Sequence, residues 1–293
     1  MNKRYIASPK RTKEIVTKHD IHVKKSLGQN FMVDANVLSN IVKAAGIDAA
    51  SNVIEVGPGI GALTEQLAIL AKQVLAFEID QRLLPVLQDT LADYPNVHIR
   101  HEDILQADVN QAIEDVFEEA ENVHLVANLP YYITTPIVMQ LLQKQTAIKS
   151  MTILLQKEVA ERMAAVPNTK AYGSLSIAVQ YYTEARLVAD VPKTAFMPQP
   201  NVVSSVLKLE RREEPLVDVP DDEQFFELVQ ASFQHRRKNI KNNFMAKYRQ
   251  SHGQEFVNSL LKASNIEGTR RGESLSIEEF AVLANSFHQL EQV

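Results

Sequence analysis

Between residues 51 and 210 short β-rich runs alternate with stretches of helical spacing, and this alternation narrows the possible folds more than any other feature of the chain. Residues 52–56, 73–79, 97–100, 123–127 and 151–156 have the length and β-branched content of strands, and 62–71 and 81–91 between them are helix-like. The rhythm predicts an α/β domain around a mainly parallel sheet. Charge and proline in Arg211-Arg212-Glu213-Glu214-Pro215 and Val219-Pro220-Asp221-Asp222 then break it. Beyond, Phe225, Val229, Phe233, Ile240 and Phe244 recur at roughly helical spacing, and Ser276-Ile277-Glu278-Glu279 has the form of a capped helix start. The expected organisation is a basic N-terminal segment (1–27), an α/β domain (28–212), a linker (213–220) and a small all-helical domain (221–293).

A chain of 293 residues, 45% hydrophobic, can bury one or two cores. The absence of cysteine excludes disulfides, Cys-ligated zinc, iron–sulfur clusters and a cysteine nucleophile, and fits a cytoplasmic setting. No apolar run approaches membrane-spanning length, so no membrane role is expected. The eight histidines are scattered without ligand spacing, and no metal is expected in the chemistry.

Net charge is −5, but it is unevenly spread. Residues 1–27 hold eight Lys and Arg against Glu14 and Asp20, and residues 228–250 hold Arg236, Arg237, Lys238, Lys241, Lys247 and Arg249 with no acid. Two basic islands on an acidic body are commonly solvated faces; their sharper reading is contact with nucleic acid.

The first strand runs into Glu55-Val56-Gly57-Pro58-Gly59-Ile60-Gly61 and then a helix. Glycines are needed where backbone must turn tightly or approach a ligand, and Glu78 ends the next strand, where a carboxylate can accept from ribose hydroxyls. The spacing is G-x-G-x-G, and Pro58 removes a donor that an anion could use. A diphosphate is therefore served less well than S-adenosylmethionine. Asp103, after the third strand, can accept from an adenine amino group or can simply cap a loop. Asn30 precedes the first helix of the domain and is equally readable as a turn residue.

After the fourth strand stands Asn128-Leu129-Pro130-Tyr131-Tyr132. An adenine N6 amine is a poor nucleophile because its lone pair is delocalised. The Asn128 side-chain oxygen and the Pro130 main-chain carbonyl can accept its two N–H groups and tilt the lone pair toward a sulfonium methyl, which is catalysis by positioning. Tyr131 offers a face for an extruded base, worth roughly 1–3 kcal/mol. Phe196, within Ala195-Phe196-Met197-Pro198-Gln199-Pro200, is a second aromatic candidate, expected on an exposed proline-stiffened loop.

These segments, with Lys25-Ser26-Leu27-Gly28-Gln29-Asn30-Phe31, Phe77-Glu78-Ile79-Asp80, Leu155-Gln156-Lys157-Glu158 and Arg236-Arg237-Lys238, resemble the ribosomal RNA adenine dimethyltransferase family over nearly the whole chain. The resemblance implies a Rossmann-like methyltransferase domain followed by a helical domain that docks on RNA, and Arg236, Arg237, Lys238 and Lys241 of the second basic island are the candidate contacts. It implies that Asn30, Met32, Gly57, Glu78, Asp103 and Asn128 line the S-adenosylmethionine site, and that Asn128, Pro130, Tyr131 and Phe196 hold the target adenine. Met32 stands where leucine is expected, a change that a backbone contact survives.

By the same resemblance, and with Leu129 and the long tail favouring the small-subunit branch over the large-subunit resistance enzymes, the substrate is 16S rRNA in the small ribosomal subunit. Two adjacent adenosines of its 3′-terminal hairpin would each receive two N6 methyl groups, with a role in subunit biogenesis and no need for more than a monomer. The competing readings are a nicotinamide oxidoreductase, which leaves Asn128 to Tyr131 unexplained, and a non-catalytic assembly factor using the same surface.

Overall fold

The computed structural model describes residues 5–22, 24, 28–119, 121–144 and 147–292. The chain divides into two units, 1–160 with 186–211 and 161–185 with 212–293. The first contains α1 (Pro9–Lys18), β1 (Phe31–Met32), α2 (Ala35–Ala45), β2 (Asn52–Val56), α3 (Ala62–Leu70), β3 (Gln73–Glu78), α4 (Leu84–Thr90), β4 (Val97–His101), α5 (Val109–Val116), β5 (Val123–Asn128), α6 (Thr134–Lys144) and β6 (Ile148–Gln156). Next come α7 (Lys157–Met163), α8 (Ser174–Tyr182) and β7 (Thr183–Val191), then β8 (Phe196–Met197) and β9 (Ser204–Arg211). The chain ends with α9 (Asp222–Phe233), α10 (Ile240–Ala263), broken by Gly253 at φ 85°, and α11 (Ile277–Glu291).

The main sheet has the order β4-β3-β2-β5-β6-β9-β7. Neighbours from β4 to β6 are parallel, and β9 is antiparallel to β6. All five residues of β2 are buried, as a strand covered on both faces requires. From β2 the chain steps outward to β3 and β4, then returns to the other side of β2 as β5. That reversal opens a crevice at the carboxyl ends of β2 and β5, where open α/β sheets bind ligands.

Local signals bound the helices that flank it. Asp34 accepts from the backbone N–H groups of Asn36 and Val37 to start α2, and Gly46 at φ 72° ends it. The α/β fold with its Rossmann-like, mainly parallel sheet and its helical C-terminal part agrees with the sequence reading.

The boundaries differ. Residues 161–185, expected in the α/β domain, belong to the second unit, as does 213–220, expected as linker. Ile177 and Tyr181 of α8 are buried with Phe225, Leu228, Phe244 and Phe280, and Tyr181 donates to Asp222 Oδ1 at 2.6 Å. Leu216 N–H bonds the Tyr181 carbonyl at 2.9 Å. The apolar face of α8 thus completes the helical core. At the end of this unit the start of α11 is a full capping box, with Ser276 Oγ on Glu279 N–H and Glu279 Oε2 on Ser276 N–H.

The N-terminal segment is also more than a basic arm. Its α1 is part of the first unit, with Ile6 and Ile15 in the core and the Ile6 N–H donating to the buried Glu65 carboxylate at 2.7 Å. Lys18 pairs with Asp89 at 2.6 Å, so part of the basic charge is locally answered. Lys3, Arg4 and Lys25 lie outside the described residues.

Candidate functional site

A cavity of roughly 1000 Å³, part of it open to solvent, occupies the crevice at the carboxyl edge of the sheet. Asn30, Met32, Gly57, Glu78, Asp103, Asn128, Pro130 and Tyr131 all line it; Phe196 does not. Four of its side chains are acidic, Glu55, Glu78, Glu102 and Asp103, and among the described residues none lining it is basic.

Each wall is the end of an element. Where β2 stops, Gly57 takes φ 72° and a Cβ built there would meet nothing within 4 Å, so the turn leaves a cradle beside its backbone. At Gly59, with φ 61°, a Cβ would come 3.3 Å from the Phe31 ring, so a side chain there would strain the backbone and press on β1.

Glu78, at the end of β3, is buried, with Oε1 accepting from Asp80 N–H at 2.8 Å and Oε2 from Gly59 N–H at 3.3 Å. Burial raises its pKa, and the two backbone donors oppose that rise. Glu55 on β2 is fully enclosed, its Oε2 has no hydrogen-bond partner, and burial, with the negative Glu78 nearby, pushes its pKa up to about 8. It is therefore mostly a neutral acid at pH 7. Asp103 Oδ1 accepts from Leu105 N–H at 3.0 Å and so caps the turn after β4, which leaves Oδ2 for a ligand.

On the far side, Asn128 ends β5 opposite Leu154 of β6. Its Nδ2 donates to the Asn30 carbonyl at 3.3 Å, while Asn30 Nδ2 donates to the Gly28 carbonyl at 3.1 Å. Because a carbonyl only accepts, the Asn128 amide is oriented and its Oδ1 is the atom left for a substrate donor. Tyr131 is half-buried with its hydroxyl 2.6 Å from Ser204 Oγ, and Tyr132 beside it is more than half exposed.

Two expectations change. The Pro130 carbonyl already accepts from Ile133 N–H at 3.2 Å and from Thr134 Oγ at 3.0 Å, which uses both its lone pairs in the turn that starts α6. Phe196 is not on an exposed loop: it is 2% exposed, pairs with Met32 across β1 and β8, and sits in the core with Phe31. The strand ends at Met197, so Pro198 lies just beyond the ladder and its missing N–H interrupts nothing.

Gln29, Glu55, Leu129 and Tyr132 also line the cavity without having been assigned to it from the sequence. Glu55 stood inside the glycine motif, but only burial reveals its protonation. Arg236, Arg237, Lys238 and Lys241 are exposed where α9 gives way to α10, and Arg236 donates to the Lys170 carbonyl at 2.6 Å.

The acidic cavity fits S-adenosylmethionine: a cationic sulfonium and ammonium are favoured among carboxyls, and a diphosphate is opposed. A model of the ribosomal RNA adenine dimethylase family matches residues 20–282. The chain belongs to that family. Its enzyme class is thus ribosomal RNA adenine dimethyltransferase. The ribosomal RNA small subunit methyltransferase A of Oceanobacillus iheyensis is 57% identical over 286 residues, covering 98% of this chain and 97% of that protein. The protein of the same name from Bacillus pumilus is 57% identical over 281 residues, 96% of each chain. Among solved structures, the 23S rRNA methyltransferase ErmE superposes with a TM-score of 0.66 at 28% identity, covering 89% of this chain and all of that one. A Plasmodium falciparum dimethyladenosine transferase, 24% identical over 88% of this chain and 98% of its own, shares the fold with a TM-score of 0.75. No helix among the described residues is long and apolar enough to cross a membrane, and no group of three His, Cys, Asp or Glu there could hold a metal ion.

Proposed function

We propose that this protein transfers methyl groups from S-adenosylmethionine to N6 of two adjacent adenosines in the 3′-terminal hairpin of 16S rRNA, two to each, during biogenesis of the small ribosomal subunit in the cytoplasm. One observation carries the reading: an acidic cavity free of basic side chains shares a wall with an oriented asparagine amide. The small-subunit assignment is supported by relatives of that name at 57% identity over nearly the full chain.

Bound S-adenosylmethionine supplies an electrophilic sulfonium methyl and leaves as S-adenosylhomocysteine. Glu78 accepts from the ribose hydroxyls with the lone pairs that Gly59 and Asp80 leave, and Asp103 Oδ2 accepts from the cofactor's adenine amine. Asn30 and Met32 form the facing wall, and Gly57 gives clearance. Asn128 Oδ1 accepts one N–H of the target amine. With the Pro130 carbonyl occupied, Leu129 in the same wall offers the second acceptor. Tyr131 presents its ring to the flipped base. No general base is needed before attack, since the methylated amine becomes acidic and sheds its proton afterwards.

In this reading the protein works as a monomer. Exposed Arg236, Arg237, Lys238 and Lys241 would neutralise rRNA phosphates, while shape and an unstacked base supply selectivity.

The test is transfer of labelled methyl groups to small subunits from cells lacking this gene, followed by nucleoside analysis. N6,N6-dimethyladenosine in the terminal hairpin is the expected product. Transfer to large-subunit RNA alone would move the protein to the other branch, and no transfer to either would leave a binding factor.

A further inference from the structure

Asp80 lies outside the cavity, yet its buried carboxylate is held between Arg82 and Gln29, and Gln29 lines the cavity. Oδ1 accepts from Arg82 Nε at 2.9 Å, and Oδ2 from Arg82 Nη2 at 2.6 Å and from Gln29 Nε2 at 2.8 Å. Gln29 Oε1 in turn accepts the Lys24 N–H at 2.9 Å, and Arg82 Nη1 reaches the His22 carbonyl at 3.2 Å. The turn after β3 thus holds the chain at Gln29 and, through Gln29 and Arg82, at Lys24 and His22. One residue further on, the Asn30 carbonyl receives the Asn128 amide. The backbone N–H of Asp80 also holds Glu78 Oε1.

We infer that Asp80 is a positioning residue: through Gln29 it sets the wall formed by Asn30 to Met32, and through that wall it couples the cofactor acid Glu78 to the orientation of Asn128. This deepens the function proposed above and rests on it. The charge-assisted fork is strong for its size, because an ionised carboxylate shared by a guanidinium and an amide holds three donors in fixed directions. Arg82 keeps the Asp80 pKa at about 2, so the clasp stays closed over the whole working pH range. A carboxylate that only capped the 3₁₀ turn Gln81–Leu83 would need Arg82 N–H alone; the reach to Gln29, 51 residues away, is what a positioning role explains.

The test is a double-mutant cycle with Asp80→Asn and Gln29→Ala in the full chain. Readouts are S-adenosylhomocysteine affinity by calorimetry and the single-turnover methyl-transfer rate at saturating S-adenosylmethionine. Asp80→Asn should lower both by about tenfold although Asp80 touches neither ligand. Gln29→Ala should cost much less in the Asp80→Asn background than in the wild type, since both break one linkage. Additive losses, or a change confined to melting temperature, overturn the proposal.

Amide hydrogen exchange supplies a reading independent of the reaction. Lys24 N–H should exchange faster in Gln29→Ala, and unchanged protection there also overturns the clasp. A wild-type protein that neither binds S-adenosylhomocysteine nor methylates RNA, yet shows faster Lys24 exchange in the variant, would sink the functional reading and leave the clasp standing.

Discussion

The side-chain amide of Asn128 donates to the backbone carbonyl of Asn30 across 3.3 Å, joining residues 98 apart in the sequence. The bond decides which end of the amide faces the cavity. Asn128→Ala removes the acceptor for the target amine, and a loss of about 10²–10³ in single-turnover transfer is expected, larger than any loss of S-adenosylhomocysteine affinity. Asn128→Asp should fare no better, because a carboxylate cannot donate to Asn30. Wild-type transfer by either variant would remove Asn128 from the chemistry.

Glu78 separates charge from geometry. In Glu78→Gln the new NH₂ must face either Gly59 N–H or Asp80 N–H, leaving one donor unanswered in a buried site. Calorimetry should show S-adenosylhomocysteine binding weakened at least about tenfold, the equivalent of 1.4 kcal/mol. Equal affinity would place the ribose elsewhere.

Glu55 predicts a pH dependence of stability. Its pKa is raised on folding to about 8, so between the unfolded value of 4.5 and about 8 the folded state holds a proton that the unfolded state releases. Stability from this group is full below pH 4.5 and falls as pH rises through 8. Glu55→Gln should remove that slope. Urea unfolding without ligand should show the variant gaining on the wild type by at least about 1 kcal/mol between pH 5.5 and 8. Parallel pH profiles would mean that Glu55 ionises freely in the fold.

Tyr131 is expected to act through its ring. Tyr131→Phe loses only the bond to Ser204 and should keep kcat/KM on rRNA within a few-fold. Tyr131→Ala should lower it roughly 10- to 100-fold, matching a stacking loss of about 1–3 kcal/mol, with cofactor affinity unchanged. Similar activity of both variants would argue against stacking.

Arg237 and Lys238 are exposed in the second unit, whereas Arg236 is tied to the Lys170 carbonyl. Charge reversal at the first two should weaken binding to small-subunit particles and flatten its salt dependence by about 0.7 to 0.9 per lost phosphate contact. Cofactor affinity should not move. An unchanged salt slope would locate RNA docking on another surface.

The sequence by itself determined what is local. Strands and helices of the α/β unit were readable because their apolar periods are properties of neighbouring residues, and Gly57, Glu78, Asp103 and Asn128 could be placed at the cavity because each stands at or just after a strand end. The turn at Asn128 to Tyr131 and the capping box at Ser276 were legible for the same reason. Tertiary structure decided what depends on distant partners. Phe196 is buried because Met32 lies across from it in β1, the Pro130 carbonyl is occupied because α6 begins beneath it, and α8 joins the helical core because its Tyr181 packs on Phe225. Neither the raised pKa of Glu55 nor the reach of Asp80 to Gln29 can be seen in one dimension. Burial and a hydrogen bond across 51 residues exist only once separate elements have enclosed a common space.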